Sequence, residues 1–192
     1  NSKTYDYTSY YKTIRLFVKE EFLTIESNGK VLLENFIDRN YKLDYKGVKL
    51  LILPQLLTRE TNGYIPLERY LNREYNNPKI IKLLHVPELT LRITDGFTQL
   101  DKLLMASKNY SSLAINLLVK PELLNTFNIN NERPIDIILN KRYHVSLYLF
   151  DVIKMLTNKE MIYNDDTIIN RYLVLIGHGG VRECDDDILK YL

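Results

Sequence analysis

Apolar residues recur along the chain in short clusters, and a proline follows three of the most similar ones. A Leu-Leu pair and two further residues precede Pro54, Pro87 and Pro121, which follow one another after 33 and 34 residues. A fixed period of this length is typical of proteins built from stacked repeats. The whole phrase occupies residues 50–56, 83–89 and 117–123, with an earlier echo at 16–22 and a weaker later one at 155–161.

A second phrase keeps the same period and begins with glycine or asparagine before a short apolar helix. Its four copies start at Gly29, Gly63, Gly96 and Asn131, with steps of 34, 33 and 35 residues. Two phrases on one period predict a helix–turn–helix unit that is repeated along one domain, 1–192. The predicted repeats cover 29–62, 63–95, 96–130 and 131–164.

Prolines and asparagines mark the predicted ends of the helices. Pro66 and Pro134 stand where a first helix begins, and proline is tolerated there because its missing N–H would have no partner in any case. Asn76-Asn77-Pro78 predicts a capped start for a second helix. Pro87 predicts the end of that helix, because proline cannot continue a helical hydrogen-bond pattern.

The segment between two predicted helix pairs has a different pattern. Residues 89–94 alternate between apolar and polar side chains, which predicts a short strand. Asp95-Gly96 then predicts a turn, because glycine adopts positive φ without a Cβ clash. The repeat therefore includes a short hairpin before its first helix.

Both ends of the chain predict caps for such a stack. One helical face covers the N-terminal part, 1–28, and residues 167–176 predict a further helix in a partial C-terminal repeat, 165–192. Acidic residues 185–187 would suit the N-terminus of a last helix. The start at Asn1 and the apolar end predict a domain cut from a longer protein. The N-terminal face consists of Tyr7, Tyr10, Tyr11, Ile14, Phe17, Val18 and Phe22.

These phrases resemble the ankyrin repeat, whose opening phrase is Gly-x-Thr-Pro-Leu-His-x-Ala. The resemblance covers roughly residues 15–160, and it departs from the family in several ways. Acidic residues replace the family's histidine, the glycine between the helices is absent, and Pro-Glu or Pro-Gln replaces Gly-Ala after the second helix. The matching positions are Gly63, Pro66 and Leu67 with Glu68 at the histidine position, Gly96, Thr98 and Leu100 with Asp101 there, and Pro134 with Asp136 there.

The resemblance implies an all-α fold, an α-solenoid of about four to five ankyrin-like helix–turn–helix repeats with short hairpin-like fingers. Another α-solenoid, built of HEAT-like helix pairs, is the alternative. In that case the glycine-containing links would be plain loops.

Composition narrows the classes of function. Hydrophobic residues make up 45% of the chain, and the 26 basic and 24 acidic residues leave a net charge of +2. Their even mixing argues against a nucleic-acid footprint. No segment has the roughly 18 consecutive apolar residues of a membrane span, so we expect no membrane insertion. The single cysteine, Cys184, predicts a reducing compartment, the cytoplasm or the nucleus.

Few residues of the chain are candidates for catalytic chemistry. His85, His144 and His178 have no metal-ligand spacing, and Cys184 has no histidine near it in sequence. Gly177-His178-Gly179-Gly180 is interpreted as a turn between helices, and the runs 165–166 and 185–187 as helix caps. We therefore expect no enzyme activity, no metal and no cofactor.

By resemblance, the finger residues and the polar positions of the first helices line a concave groove. The expected function is a scaffold or adaptor that binds another protein there. The alternatives are a regulatory or spacer module of a larger enzyme and a module that contacts nucleic acid. The predicted partner-binding residues, all expected to be exposed, are Tyr64, Arg69, Asn72, Arg73, Arg92, Thr94, Phe97, Lys102 and Met105.

Overall fold

A computed structural model describes residues 18–39, 43–73, 76–106, 111–141 and 149–179. The predicted cap residues in 1–17 and 180–192 lie outside these ranges, as does Cys184. The described residues are mostly helical, which confirms the all-α class. The helices are α1 (Glu20–Leu23), α2 (Leu32–Arg39), α3 (Tyr45–Leu51), α4 (Pro54–Leu57), α5 (Pro66–Leu71), α6 (Pro78–Leu84), α7 (Gln99–Ala106), α8 (Ser112–Leu118), α9 (Pro134–Asn140), α10 (Leu149–Leu156), α11 (Lys159–Asn164) and α12 (Asp166–Gly179).

The chain divides into two compact units, Asn1–Val86 and Pro87–Leu192. In the first unit, α2 packs against α3 and α5 packs against α6. The first helices of the two pairs pack against each other, α2 against α5, and so do the second helices, α3 against α6. The second unit repeats this scheme, with α7 packed against α9 and α8 packed against α10. Helix α12 also packs against α9.

A tight turn with left-handed backbone precedes the first helix of three helix pairs. The two central residues of each turn have positive φ, between 53° and 80°. This geometry matches the twist of a two-residue hairpin and is accessible to Asn-Gly and Asp-Gly at low cost. The central pairs are Asn28-Gly29, Asn62-Gly63 and Asp95-Gly96.

Antiparallel pairing closes each of these turns. The first two are closed by the bridges Ser27–Lys30 and Thr61–Tyr64. The third is closed by two short strands, β1 (Ile93–Thr94) and β2 (Phe97–Thr98). The predicted strand over 89–94 is therefore wrong in its extent, because Pro87–Leu89 forms a 3₁₀ turn that takes up its beginning.

The fourth turn has no glycine and is built differently. Asn131 alone has positive φ there, at 59°. The side-chain oxygen of Asn128 accepts the backbone N–H groups of Asn130 and Glu132 at 2.9 and 3.1 Å. These side-chain bonds add to the backbone bonds that close the turn, from the N–H of Asn128 to the oxygen of Glu132 at 3.0 Å and from the N–H of Asn131 to the oxygen of Asn128 at 2.9 Å.

A carboxylate caps the first helix after every turn. Each accepts the backbone N–H of the residue three positions earlier, at 2.9 to 3.0 Å. These acids stand at the position where the ankyrin phrase has histidine. All four are buried, and each accepts an N–H that would otherwise be unpaired at the start of a helix. They are Glu34, Glu68, Asp101 and Asp136.

The predictions for helix ends are largely confirmed. Pro66, Pro78 and Pro134 each begin a helix, and the side chain of Asn77 accepts the N–H of Lys79. The second leucine of each Leu-Leu pair in the repeated phrase is buried near the end of a helix: Leu51, Leu84 and Leu118 are 2, 0 and 0% exposed in α3, α6 and α8.

One turn prediction at the C-terminal end is wrong. The described glycines of the segment 177–180 continue α12, which runs to Gly179, instead of forming a turn between helices. Helix α12 also confirms and extends the helix predicted over 167–176.

Candidate partner-binding site

The nine predicted binding residues divide between the two units and differ widely in exposure. Tyr64, Arg69, Asn72 and Arg73 belong to the first unit, and the other five belong to the second. Asn72 and Met105 are exposed, and Tyr64, Arg73, Arg92 and Phe97 are partly exposed. Binding by any of the nine stays a prediction.

Arg69 contributes to the internal structure of the first unit. Its Nη1 donates to the carboxylate of Asp38 in α2 at 3.2 Å, and its Nη2 donates to the backbone oxygen of Thr61. The guanidinium also lies 6.0 Å from the ring centroid of Tyr64. Only 10% of the Arg69 side chain is exposed, so its role is to connect α5 to the preceding helix and turn.

Arg73 makes a similar connection from the end of α5. Its Nη1 donates to the backbone oxygen of Ile37, a carbonyl near the C-terminus of α2. A cation at that end of a helix interacts favourably with the partial negative charge of the last carbonyls. Part of the side chain still reaches solvent, so Arg73 can both stabilise the unit and contact a partner.

The expected exposure of Thr94 and Lys102 is wrong. Thr94 is 8% exposed, because it occupies the inward-facing position of β1, beside the exposed Ile93. Lys102 is 6% exposed in α7, a helix covered by α8 on one side and α9 on another. A repeat pattern read from sequence identifies the buried stripe of one helix but cannot show how many neighbouring helices cover it.

The predicted binding residues of the second unit that are at least partly exposed are Arg92, Phe97 and Met105. Met105 is 41% exposed, and its backbone oxygen accepts a hydrogen bond from Lys141 Nζ at 2.8 Å. That bond links α7 to the residue that follows α9 in the same unit. Burial lowers the pKa of Lys141, although the ammonium keeps this carbonyl as a partner.

Three exposed apolar side chains lie at the turns of the second unit and are absent from the predicted site. Ile93, Phe127 and Ile129 are each more than half exposed, at 59, 56 and 71%. Ile129 lies against Gly96, and its N–H donates to the oxygen of Gly96 at 3.0 Å. We call these three residues the turn-tip apolar group. In the sequence, the alternation Phe127-Asn128-Ile129 could have indicated two of these exposed side chains. The middle residue is buried, and its two neighbours point outward.

A guanidinium accompanies this group. Arg133 places its Cζ 5.9 Å from the ring centroid of Phe127 and donates to the carboxylates of Asp136 and Asp165. The hydrogen bond to Asp136 is the main cause that raises the pKa of Arg133. Because the guanidinium is held on two carboxylates, it supports the Phe127 ring from a defined position.

Within the described ranges, the polar side chains named above hold helices and turns together. No group of three or more histidine, cysteine, aspartate or glutamate side chains converges as metal ligands within them. His85 is partly exposed after α6, while the side chains of His144 and His178 lie outside the description. None of the helices described has the length and the apolar character needed to cross a bilayer.

Fold and site together define an all-α protein with recurring turns and packed helix pairs. No protein-family model, curated protein or solved structure matches the chain.

Proposed function

We propose that the chain is a protein-interaction module of ankyrin-like repeats that binds a partner protein through its turn tips and the exposed sides of its first helices. The recurrence of one local design carries the proposal. A tight turn, a capping carboxylate and a pair of short helices follow each other at four places. Stacked repeats of this kind act through extended surfaces built from equivalent positions.

The polar side chains inside the units support this function, because their hydrogen bonds and ion pairs connect elements of the same unit. The four capping acids bind helix N–H groups, and Arg69, Arg133 and Arg171 connect successive elements through carboxylates. Polar groups engaged in this way hold the backbone rigid. A rigid surface loses little entropy on association, so contacts made by its exposed side chains convert more fully into affinity.

The turn-tip apolar group favours a protein as the partner. Large aliphatic and aromatic side chains that are more than half exposed are unfavourable in water. The free energy falls when a partner covers them. Phe97 and Met105 of the same unit are residue types enriched in protein interfaces. A nucleic-acid partner would instead be favoured by a continuous basic surface, whereas the formal net charge is only +2.

Site-specific photo-crosslinking tests the proposal. A benzophenone amino acid replaces Phe97 at the turn in one variant and Asn116, exposed on the second helix α8, in the matched control. The full chain is irradiated in an extract of its source cells, and the crosslinked protein is identified by mass spectrometry. The identified partner is then purified, and its affinity is measured by calorimetry.

The mutations to be measured are Phe97→Ala and Ile129→Ser, with Asn116→Ala as control. We expect each of the first two to weaken binding by about 1 kcal/mol or more, since aromatic and apolar anchors dominate interface energies. Equal binding by all three variants would remove the turn surface from the proposal. Crosslinks to nucleic acid only, or to no macromolecule, would contradict the proposed function and favour the module that contacts nucleic acid or the spacer.

A further inference from the structure

One side of α2 is open to solvent at a position that is covered in the later helices. The period of the chain makes Leu32 of α2 equivalent to Pro66 of α5, Pro134 of α9 and Ile168 of α12. Leu32 is 44% exposed, whereas the three later residues are buried. The same side of the helix therefore has a different environment at the start of the first unit.

In two later helices, an arginine on this side connects the helix to the preceding first helix. Arg69 of α5 donates to the carboxylate of Asp38 in α2 at 3.2 Å. Arg171 of α12 occupies the equivalent position and donates to the side-chain oxygen of Asn140 in α9 at 2.6 Å. The acceptors Asp38 and Asn140 are equivalent as well. In α2 the position of these arginines is taken by Asn35, which is partly exposed.

A second cation on this side also reaches the preceding first helix. Arg73 donates to the backbone oxygen of Ile37, and Lys141 donates to the backbone oxygen of Met105 at 2.8 Å. Arg39 is the equivalent residue at the end of α2. Its side chain is exposed and makes no hydrogen bond or ion pair within the described ranges. Helix α2 thus carries the cation that its later equivalents use to bind a neighbouring helix.

Helix α12 has a surface that matches this side of α2. Val174 stands where α2 has Asp38 and α9 has Asn140, and it is 58% exposed. Valine cannot accept a hydrogen bond from an arginine side chain, and α2 has Asn35 instead of an arginine at the facing position. The arginine and its acceptor therefore occur together in the packed helix pairs, and both are missing from the pair α2 and α12.

We propose that a second copy of this chain covers α2 with its own α12, so that copies associate head to tail. The contact removes the exposed aliphatic side chains of Leu32 and Val174 from water. Because two different surfaces meet, each copy can bind one neighbour through α2 and another through α12. The turn tips take no part in this contact, so the binding of a partner protein there and self-association can fail independently.

Sedimentation velocity of the full chain over a range of concentrations tests the proposal. We expect concentration-dependent self-association that is lost in Leu32→Asp and in Val174→Asp, because each change would bury an unpaired charge in the contact. Lys82→Asp, at an exposed residue of α6, is the control and should associate like the native chain. An equimolar mixture of the two defective variants should form a dimer again. One variant keeps an intact α12 and the other keeps an intact α2.

Restored association in the mixture is the decisive result, because variants that had merely unfolded could not complement each other. A native chain that stays monomeric at every concentration would overturn the proposal. A mixture that stays monomeric while the native chain associates would overturn it too. Self-association that persists in Val174→Asp would show that α2 is covered by something other than α12 of a second copy.

Crosslinking identifies the two surfaces directly. One chain carries Asn35→Cys and the other carries Val174→Cys, both together with Cys184→Ser, and a short bismaleimide is added to the mixture. We expect a crosslinked dimer that contains one chain of each kind, identified by mass spectrometry. A chain that carries both cysteines should be joined mainly to other copies. Crosslinks formed only within that chain would show that its own α12 covers α2, and the inferred second copy would be wrong.

Discussion

Arg171 donates from Nη1 to Oδ1 of Asp136 over 2.8 Å, although the two residues are 35 positions apart. The same carboxylate accepts the backbone N–H of Arg133 at 3.0 Å and its Nε at 2.8 Å. One buried acid therefore caps α9 and connects that helix to α12. The local cap and one long-range connection within the second unit therefore share a single side chain.

Replacement of Asp136 by alanine should lower the free energy of unfolding of the second unit by about 3–5 kcal/mol, because removal of one partner from a mostly buried ion pair leaves uncompensated charge. Urea denaturation followed by circular dichroism measures this loss. Asp151→Ala, at an exposed acid in the first turn of α10, is the matched control and should change stability by about 0.5 kcal/mol or less. Equal losses in the two variants would show that the Asp136 network contributes nothing specific.

Asp101 and Asp136 should give stability opposite pH dependences although both cap a first helix. Burial raises the pKa of Asp101, and hydrogen bonds from Thr98 only partly oppose it. Burial also raises the pKa of Asp136, but the hydrogen bonds and charge of Arg133 and the hydrogen bond from Arg171 outweigh burial and hold the pKa below its usual value. The stability contributed by Asp136 is thus present above its unfolded value and lost as pH falls through the folded value.

For Asp101 the sign is reversed. Its folded pKa exceeds the unfolded value, so the stability that protonation contributes is complete below the unfolded value and is lost as pH rises through the folded one. The free energy of unfolding of Asp101→Asn should therefore compare most favourably with that of the native chain near neutral pH. This advantage in stability should disappear in acid. The penalty of Asp136→Asn should shrink in acid instead. Unfolding titrations of both variants between neutral and strongly acidic pH measure the slopes, and parallel slopes would contradict the assignment.

Leu84→Ala should cost about 2–5 kcal/mol, because the residue is fully buried in α6 and truncation leaves a cavity. The neighbouring exposed Lys82 provides the control, since Lys82→Ala removes no buried contact. A loss under about 0.5 kcal/mol in Leu84→Ala would place this leucine outside the core.

Arg73→Ala should destabilise the first unit by about 1.5 kcal/mol, the lower end expected for a charged hydrogen bond, because the side chain donates to the carbonyl of Ile37. Asn72→Ala, one residue earlier and exposed, should leave the melting temperature nearly unchanged. Thermal melts of both variants separate a structural Arg73 from one that only contacts a partner. An unchanged melting temperature in Arg73→Ala would show that the carbonyl contact is dispensable.

Much of the local structure could be predicted from the sequence, because its causes are local. Pro66, Pro78 and Pro134 begin helices since each has a fixed φ and no N–H to lose, and Asp95-Gly96 turns because glycine accepts positive φ. The burial of Leu84 and Leu118 follows from apolar stripes that leave one face of a short helix to be covered. The period of 33 to 35 residues places these features in register.

Tertiary structure decided what the period could not. Lys102 is buried because α8 and α9 both cover α7, and Thr94 is buried because of the side of the hairpin on which it lies. Arg69 became a connector since Asp38, 31 residues earlier, lies within reach of its guanidinium. The contact of Ile129 with Gly96 likewise depends on the close approach of the fourth turn to that glycine. Local pattern fixes which backbone conformation each residue prefers, whereas exposure and ion pairing depend on neighbours that only the folded chain brings together.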